Sequence, residues 1–332
     1  MKRHVALLFI ILAIFPLSAA FSLPFPEVFF SVSGGIIAGE AREFVYSDSK
    51  VLSDLEWPMH PVYSFGIATS LEWQAGFKIG VSLSAGLPGE SGTFKDSDFA
   101  NLPESSAKTH YSQHDGYLEH AIEADVSVSW NFPVPVNGPA SSQKIGFEPS
   151  IGFKYMVYKW TGRDGYKQYP PEIAKPYTEW SDDTDKTPMY GTVIAYQQQY
   201  WIPVAGITMS LPVKDKFFVS LSAEGSPYIW CTAVDNHIKL TGTSKPDEFY
   251  DIMEGGFMVE PALALEWRMS EKTSVHLDGR WTWIAALHGN TYNRYTMSNT
   301  IFTTYESNGD GGGASLNAVK ITLGIKMQVN KD

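Results

Sequence analysis

Cysteine is nearly missing from this chain. Cys231 is the only one among 332 residues, which excludes an internal disulfide framework. Basic residues are also few. Lys and Arg number 25 against 36 Asp and Glu, for a formal net charge of −11, and that balance argues against nucleic acid as a partner. Beyond the N-terminal leader no apolar run approaches the roughly 20 residues that a membrane-spanning helix needs. No low-complexity linker divides the chain, so a single domain is expected. Chemical signatures are missing as well. There is no Gly-x-Ser-x-Gly, and no Lys-Ser or Lys-Thr follows Gly309 to Gly313, which reads as a loop rather than a phosphate cradle. Cys231 has no evident base beside it, so thiol chemistry is unsupported.

The leader is the first feature that is present. Met1-Lys2-Arg3-His4 precedes an apolar stretch from Val5 to Phe15, and Leu17-Ser18-Ala19-Ala20 follows. A basic head, a short apolar core and small residues make a secretory signal peptide, with cleavage expected after Ala20 and residues 21–332 as the mature domain. A membrane anchor fits less well, because the apolar run is short and broken by Pro16.

Alternation with a period of two then recurs along the chain in ten segments. From Tyr117 to Trp130, Leu118, Ile122, Val126, Val128 and Trp130 share one face, and Glu119, Glu123, Asp125, Ser127 and Ser129 the other. Later, Val275, Leu277, Trp281 and Trp283 oppose His276, Asp278 and Arg280. Short turns such as Gln74-Ala75-Gly76, Lys214-Asp215-Lys216 and Ser270-Glu271-Lys272 alternate with long polar segments such as Gly162 to Pro188 and Ile238 to Asp251. The longer Pro133 to Gln143 is an exception. A soluble sandwich would hide the apolar faces against each other, whereas a membrane barrel turns them to lipid and fills its lumen with the polar ones. The expected fold is therefore all-β, a transmembrane antiparallel barrel of ten strands with short periplasmic turns and long outer loops. Trp73, Trp130, Trp267 and Trp281 fit its aromatic girdles.

Two short motifs carry candidate chemistry. Asp235-Asn236-His237 ends the segment that begins at Phe217, and an acid two residues before a histidine can orient an imidazole that acts as a base. Alone, an Asp-x-His is more often a solvated loop pair. Asp96-Ser97-Asp98 ends the segment that begins at Phe77. Two carboxylates at i and i+2 of a strand share a side and cannot both ionise cheaply, so they tend to share a proton. In a barrel both motifs reach the outer rim. Asp96 keeps the inward phase of Lys78 and Ser82. Asp235 falls in the outward phase of Phe217 and Leu221, so a bulge is required, and Gly225-Ser226-Pro227 is the place for it. His110 and His114 resemble a metal pair but fall in a segment expected to be loop, so no metal site and no cofactor are assigned. His276, beside Asp278 and Arg280, reads as part of a structural ion network.

With these motifs in order, the sequence resembles the omptin family of outer-membrane aspartate–histidine endopeptidases. The likeness covers nearly all of the mature chain at low identity. It rests on Gly39 to Tyr46, on Phe94 to Trp130 with Thr109 to His114 inside it, on Ile194 to Pro203, and on Asp235-Asn236-His237. The resemblance implies that Asp235 and His237 form the base dyad, that Asp96 and Asp98 hold the attacking water, and that Glu43 lines the primary specificity pocket. Ala233 stands where the family has a second pocket acid. Phe153, Tyr155, Val157 and Gln199 stand around the family's lipopolysaccharide-binding positions, so that charged site is not expected here. The chain ends Val329-Asn330-Lys331-Asp332, without the terminal aromatic usual in such barrels.

The expectation is an outer-membrane endopeptidase that acts on peptide or protein substrates, has membrane lipid around it, and shows a weakened preference for basic residues at the cut. The alternative is a catalytically silent barrel of this type serving as adhesin or surface receptor. A small channel is disfavoured, since roughly ten strands enclose little space and inward charges can fill it.

Overall fold

The computed structural model describes residues 25–47, 49–135, 144–171, 175–238, 248–294 and 311–330. The expected signal peptide, Gly309 and most of Pro133 to Gln143 lie outside the described residues. The first strands are β1 (Glu27–Ser47), β2 (Lys50–Glu72), β3 (Phe77–Gly86), β4 (Gly89–Asp98) and β5 (His110–Trp130). Then come β6 (Phe132–Pro135), β7 (Lys144–Gln168), β8 (Thr187–Pro188), β9 (Thr192–Lys214) and β10 (Phe217–Ser226). The last are β11 (Ile229–His237), β12 (Glu248–Gly255), β13 (Met258–Arg268), β14 (Thr273–Arg294) and β15 (Gly312–Gln328). β3 continues into β4, β10 into β11 and β12 into β13, so that each couple forms one stave, while β6 and β8 are short additions along β7. Ten staves result. Neighbours pair antiparallel throughout, and β15 pairs with β1 from Phe29↔Gln328 to Val45↔Gly312, which closes the ring.

The lower part of the barrel carries the alternation that the sequence shows. Phe65, Ile67, Val81, Leu83, Val126, Leu263, Leu265, Leu277, Ile321, Leu323 and Ile325 are exposed on the outside. Exposed Trp130 and Trp267 ring its lower edge, with Trp267 stacked on Phe217 at 6.1 Å, and Tyr63, Trp230 and Trp283 mark the upper edge. This apolar band with aromatic rims is the surface of a membrane barrel. Inside it, Lys154 Nζ reaches Asp125 at 2.8 Å, Glu224 at 2.8 Å and Glu260 at 3.0 Å. Glu123 accepts hydrogen bonds from Arg280, from Lys320 at 2.8 Å and from the Tyr158 hydroxyl at 2.7 Å. His276 lies 3.4 Å from Asp278, within the lumen as expected.

Above the aromatic rim the staves continue further than the alternation predicts. β5 begins at His110, β7 runs on to Gln168, β12 occupies part of the expected loop after Ile238, and β15 begins at Gly312. The outer face is polar there, with ion pairs such as Lys95 to Glu56 at 3.1 Å and Arg163 to Glu119 at 2.6 Å. The apolar-out signal therefore stops while the hydrogen-bond ladder goes on. His110 and His114, expected in a loop, are strand residues for this reason. At the outer end the β1–β2 connection is tight, with Ser47 paired to Lys50.

A buried aromatic layer crosses the interior of this upper part. Trp57 stacks on Phe94 at 4.0 Å and on Tyr196 at 5.2 Å, and Trp160 packs beside Tyr158 at 5.7 Å. Gln198 ties the layer together, donating to the Arg42 carbonyl at 2.8 Å and accepting from the Tyr200 hydroxyl at 2.6 Å. The layer separates the barrel mouth from the charged lumen below. A closed ring has no free edge from which to unravel. Refolded in detergent, residues 21–332 are therefore expected to give a strand-dominated circular dichroism spectrum and a gel mobility that changes only after boiling. A helical, water-soluble monomer would contradict the fold.

Candidate active site

The phase change that Asp235 requires occurs at the break between β10 and β11. Phe217 and Leu221 are exposed on the outside, but after Pro227-Tyr228 it is Ile229, Cys231, Ala233 and Asp235 that are buried inside. Ser226 Oγ fixes the break by donating to the Tyr228 carbonyl at 2.7 Å and accepting its N–H at 3.3 Å. Proline has no N–H for the ladder, which is why the chain breaks there. Asp96 also points inward, but it gets there by two resets. One is the gap at Leu87-Pro88, and the other is a bulge at Ser91, between the pairs Glu90↔Tyr117 and Gly92↔Gly116, where Gly92 takes a φ of +116°. The inward phase expected from Lys78 and Ser82 is therefore kept because two slips cancel.

The dyad sits five residues above Trp230, about 17 Å along the strand. His237 Nε2 lies 2.5 Å from Asp235 Oδ2, and the ring packs edge-on against Phe249 at 5.2 Å. Asp235 is only 4% exposed, and its other oxygen, Oδ1, has no hydrogen-bond partner among the described residues. On the other side of the mouth, β4 carries Asp96 and Asp98 at positions paired with Leu55 and Ser53 of β2. Ser53 Oγ donates to Asp96 Oδ1 at 3.2 Å.

Asp96 and Asp98 act in charge on His237, so the two motifs lie within electrostatic reach of one another. Burial raises the Asp96 carboxyl well above its usual range, and Asp98 raises it further while His237 opposes the shift. Asp98 is raised by burial too, against the hydrogen bond from Ser53 and the pull of His110 and His237. His237 moves to about 9, because Asp235, then Asp96 and Asp98, outweigh a burial effect that alone would lower it. Tyr169 adds a hydroxyl beside the pair, pushed up by burial and by Asp96 and Asp98. No sequence pattern marks it.

The residues expected to set specificity lie on β1 and β11, with β12 beside them. Glu43 is buried, and Trp57 Nε1 donates to its Oε2 at 3.3 Å. Burial raises Glu43 well above the usual carboxylate range, and Asp235, Asp251 and Asp96 raise it further. Ala233 faces inward, and directly opposite it in the β11–β12 ladder stands Asp251, also buried. The sequence-based expectation of a single pocket acid left Asp251 out, because it was placed at the end of a loop. Its signal was the pattern Asp251, Met253 against Ile252, Glu254, too short to separate from loop. Asp182 and Asp183, in the long polar segment after Gly162, are exposed.

Other singled-out residues take different places. His114 is buried on Phe94 at 5.6 Å, with Nδ1 2.5 Å from the Asp164 carbonyl, while His110 pairs across the ladder with Asp98. Among the described residues no group of three or more His, Cys, Asp or Glu is arranged to hold a metal. Cys231 is buried, with its thiol pushed well up by that burial. Phe153 and Tyr155 face outward along β7, and Val157 pairs with Gln199.

Comparison with known proteins adds four findings. The model of the Omptin family matches residues 25–329. The structure resembles the outer membrane protease OmpT from Escherichia coli with a TM-score of 0.76 at 20% identity, covering 93% of this chain and 98% of that one. The transport unit of the autotransporter AIDA-I from Escherichia coli matches with a TM-score of only 0.34 at 12% identity, over 91% of this chain and 90% of that one. No curated protein sequence matches.

Proposed function

Since the chain belongs to the Omptin family and forms an outer-membrane barrel of OmpT-like fold, we propose that it is an endopeptidase that uses an Asp/His-activated water at the outer mouth of the barrel. The observation that supports this most is the buried Asp235 bonded to His237 in a cleft shared with Asp96 and Asp98. A water between the imidazole and the aspartate pair would give its proton to His237 as it attacks the peptide carbonyl. Asp235 orients the ring and balances the imidazolium, which then protonates the leaving amine. Asp96 and Asp98 share a proton, so one can accept from the water while the other donates.

Exposing the refolded barrel to a diverse peptide mixture, with new termini read by mass spectrometry, tests the proposal. Internal cuts are expected, and serine-directed, thiol-directed and chelating reagents should leave them unchanged. A folded barrel that cuts nothing would favour a silent surface adhesin or receptor instead.

The pH dependence follows from the position of His237. Its carboxylate neighbours hold the proton more tightly than free imidazole does, so the base form is scarce at neutral pH and grows tenfold per pH unit below about 9. kcat/KM should therefore rise with pH along a limb well above the usual 6.5, and Asp235→Asn should move that limb down. A limb at 6.5 in both proteins would remove the coupling.

A further inference from the structure

We infer that Asp251 is a specificity-determining residue, which together with Glu43 forms a two-carboxylate pocket for a guanidinium or ammonium side chain of the substrate. The inference rests on the endopeptidase reading for its role in cleavage, but the pocket itself can be tested without cleavage. Asp251 occupies the inward position opposite Ala233, so the acid missing from β11 is supplied by the adjacent strand. The Thr291 hydroxyl donates to its Oδ1 at 2.6 Å.

The neighbouring backbone leaves room for this carboxylate. A Cβ on Gly312 would fall 2.4 Å and 2.5 Å from its two oxygens, so only glycine lets Asp251 lean across β14 to β15, next to the β1 stave that carries Glu43. Asp235 provides an independent sign of a ligand, for its Oδ1 is buried, unpartnered and coupled in charge to both Glu43 and Asp251. Among the described residues, Glu43 receives one indole N–H, and Asp251 one hydroxyl. These two neutral donors leave the pocket short of positive charge, and buried charges are found paired. Burial and the charge of Asp235 push Asp251 up to about 7, as expected of an acid waiting for its counter-ion.

The pocket predicts a strong basic preference at the cut, in place of the weakened one expected from Ala233 alone. Matched peptides carrying arginine or its neutral isostere citrulline at the cleavage position measure it. Asp251→Asn keeps the Thr291 hydrogen bond and should lower the ratio of kcat/KM for the arginine peptide to that for the citrulline peptide about tenfold to a hundredfold. Adding Ala233→Asp should restore the arginine rate. Gly312→Ala, which displaces the carboxylate without removing it, should act in the same direction as Asp251→Asn. Arginine amide is the probe for binding alone, read by Trp57 fluorescence against a Trp57→Phe control, and its affinity should fall at least tenfold in Asp251→Asn. Boiling-dependent gel mobility checks that each variant is folded. An arginine-to-citrulline ratio or an arginine-amide affinity unchanged by Asp251→Asn would overturn the inference while leaving the endopeptidase intact. Arginine amide bound through Asp251 by a barrel that cuts no peptide would uphold the pocket and sink the proposed activity.

Discussion

Replacing His237 by alanine should lower kcat/KM for a cleavable peptide by about a hundred- to ten-thousand-fold, the usual contribution of general-base catalysis, with the barrel still folded. His237 lies at the end of β11, and its side chain is 32% exposed, so its loss opens no core cavity. Asp235→Asn should cost nearly as much, for a different reason. The amide keeps the shape but cannot balance the imidazolium, and its N–H can face the ring nitrogen that Asp235 now holds at 2.5 Å. Because the two residues act as one unit, the double variant should be scarcely slower than either single one. Full additivity would mean that they do not form a dyad. Retained activity in His237→Ala would place the base elsewhere in the mouth.

The second large effect concerns the lumen. Glu123 is buried and is the common partner of Arg280, Lys320 and Tyr158. Removing one partner of a buried ion network typically costs about 3–5 kcal/mol, because the remaining charges are stranded without water. Glu123→Ala should therefore shift the denaturant midpoint strongly downward. Lys95→Ala provides the comparison. Its ion pair with Glu56 lies on the outer surface, 47% and 31% exposed, and such pairs contribute about 1 kcal/mol or less. Equal shifts in the two variants would show that the lumen is wet enough to screen its charges. Neither substitution touches the mouth, so both should leave the cleavage preference as it is.

These two predictions use residues whose roles were visible to different degrees in the sequence. Glu123 was placed by alternation alone, since its apolar neighbours Ile122 and Ala124 assign it to the inner face. The same alternation gave the ten staves within the membrane band, where lipid outside and charge inside impose opposite chemistries on successive residues. It weakens above the aromatic rim, where both faces meet water or protein, and there it assigns His110, His114 and Asp251 to loop. The candidate catalytic pairs stood out by composition, Asp-x-Asp and Asp-x-His at the ends of two staves. Their meeting did not follow from spacing. The break at Pro227 turns Asp235 inward, and the paired slips at Leu87-Pro88 and Ser91 return Asp96 to the inner face. Each slip moves every later side chain to the opposite face, so a single uncounted one would reverse the expectation.

Sequence by itself determined the kind of surface each stave presents and the residue types available for chemistry, because a period of two depends only on neighbours along the chain. What completes the pocket was decided by the tertiary structure. Ala233 and Asp251 are separated by the segment after His237 and become neighbours only through the β11–β12 ladder. Gly312, from the last stave, leaves the space that Asp251 fills. Ring closure brings β15 beside β1, and with it this space beside Glu43. Cross-strand register and closure are properties of the assembled sheet, and no local pattern in the chain specifies them.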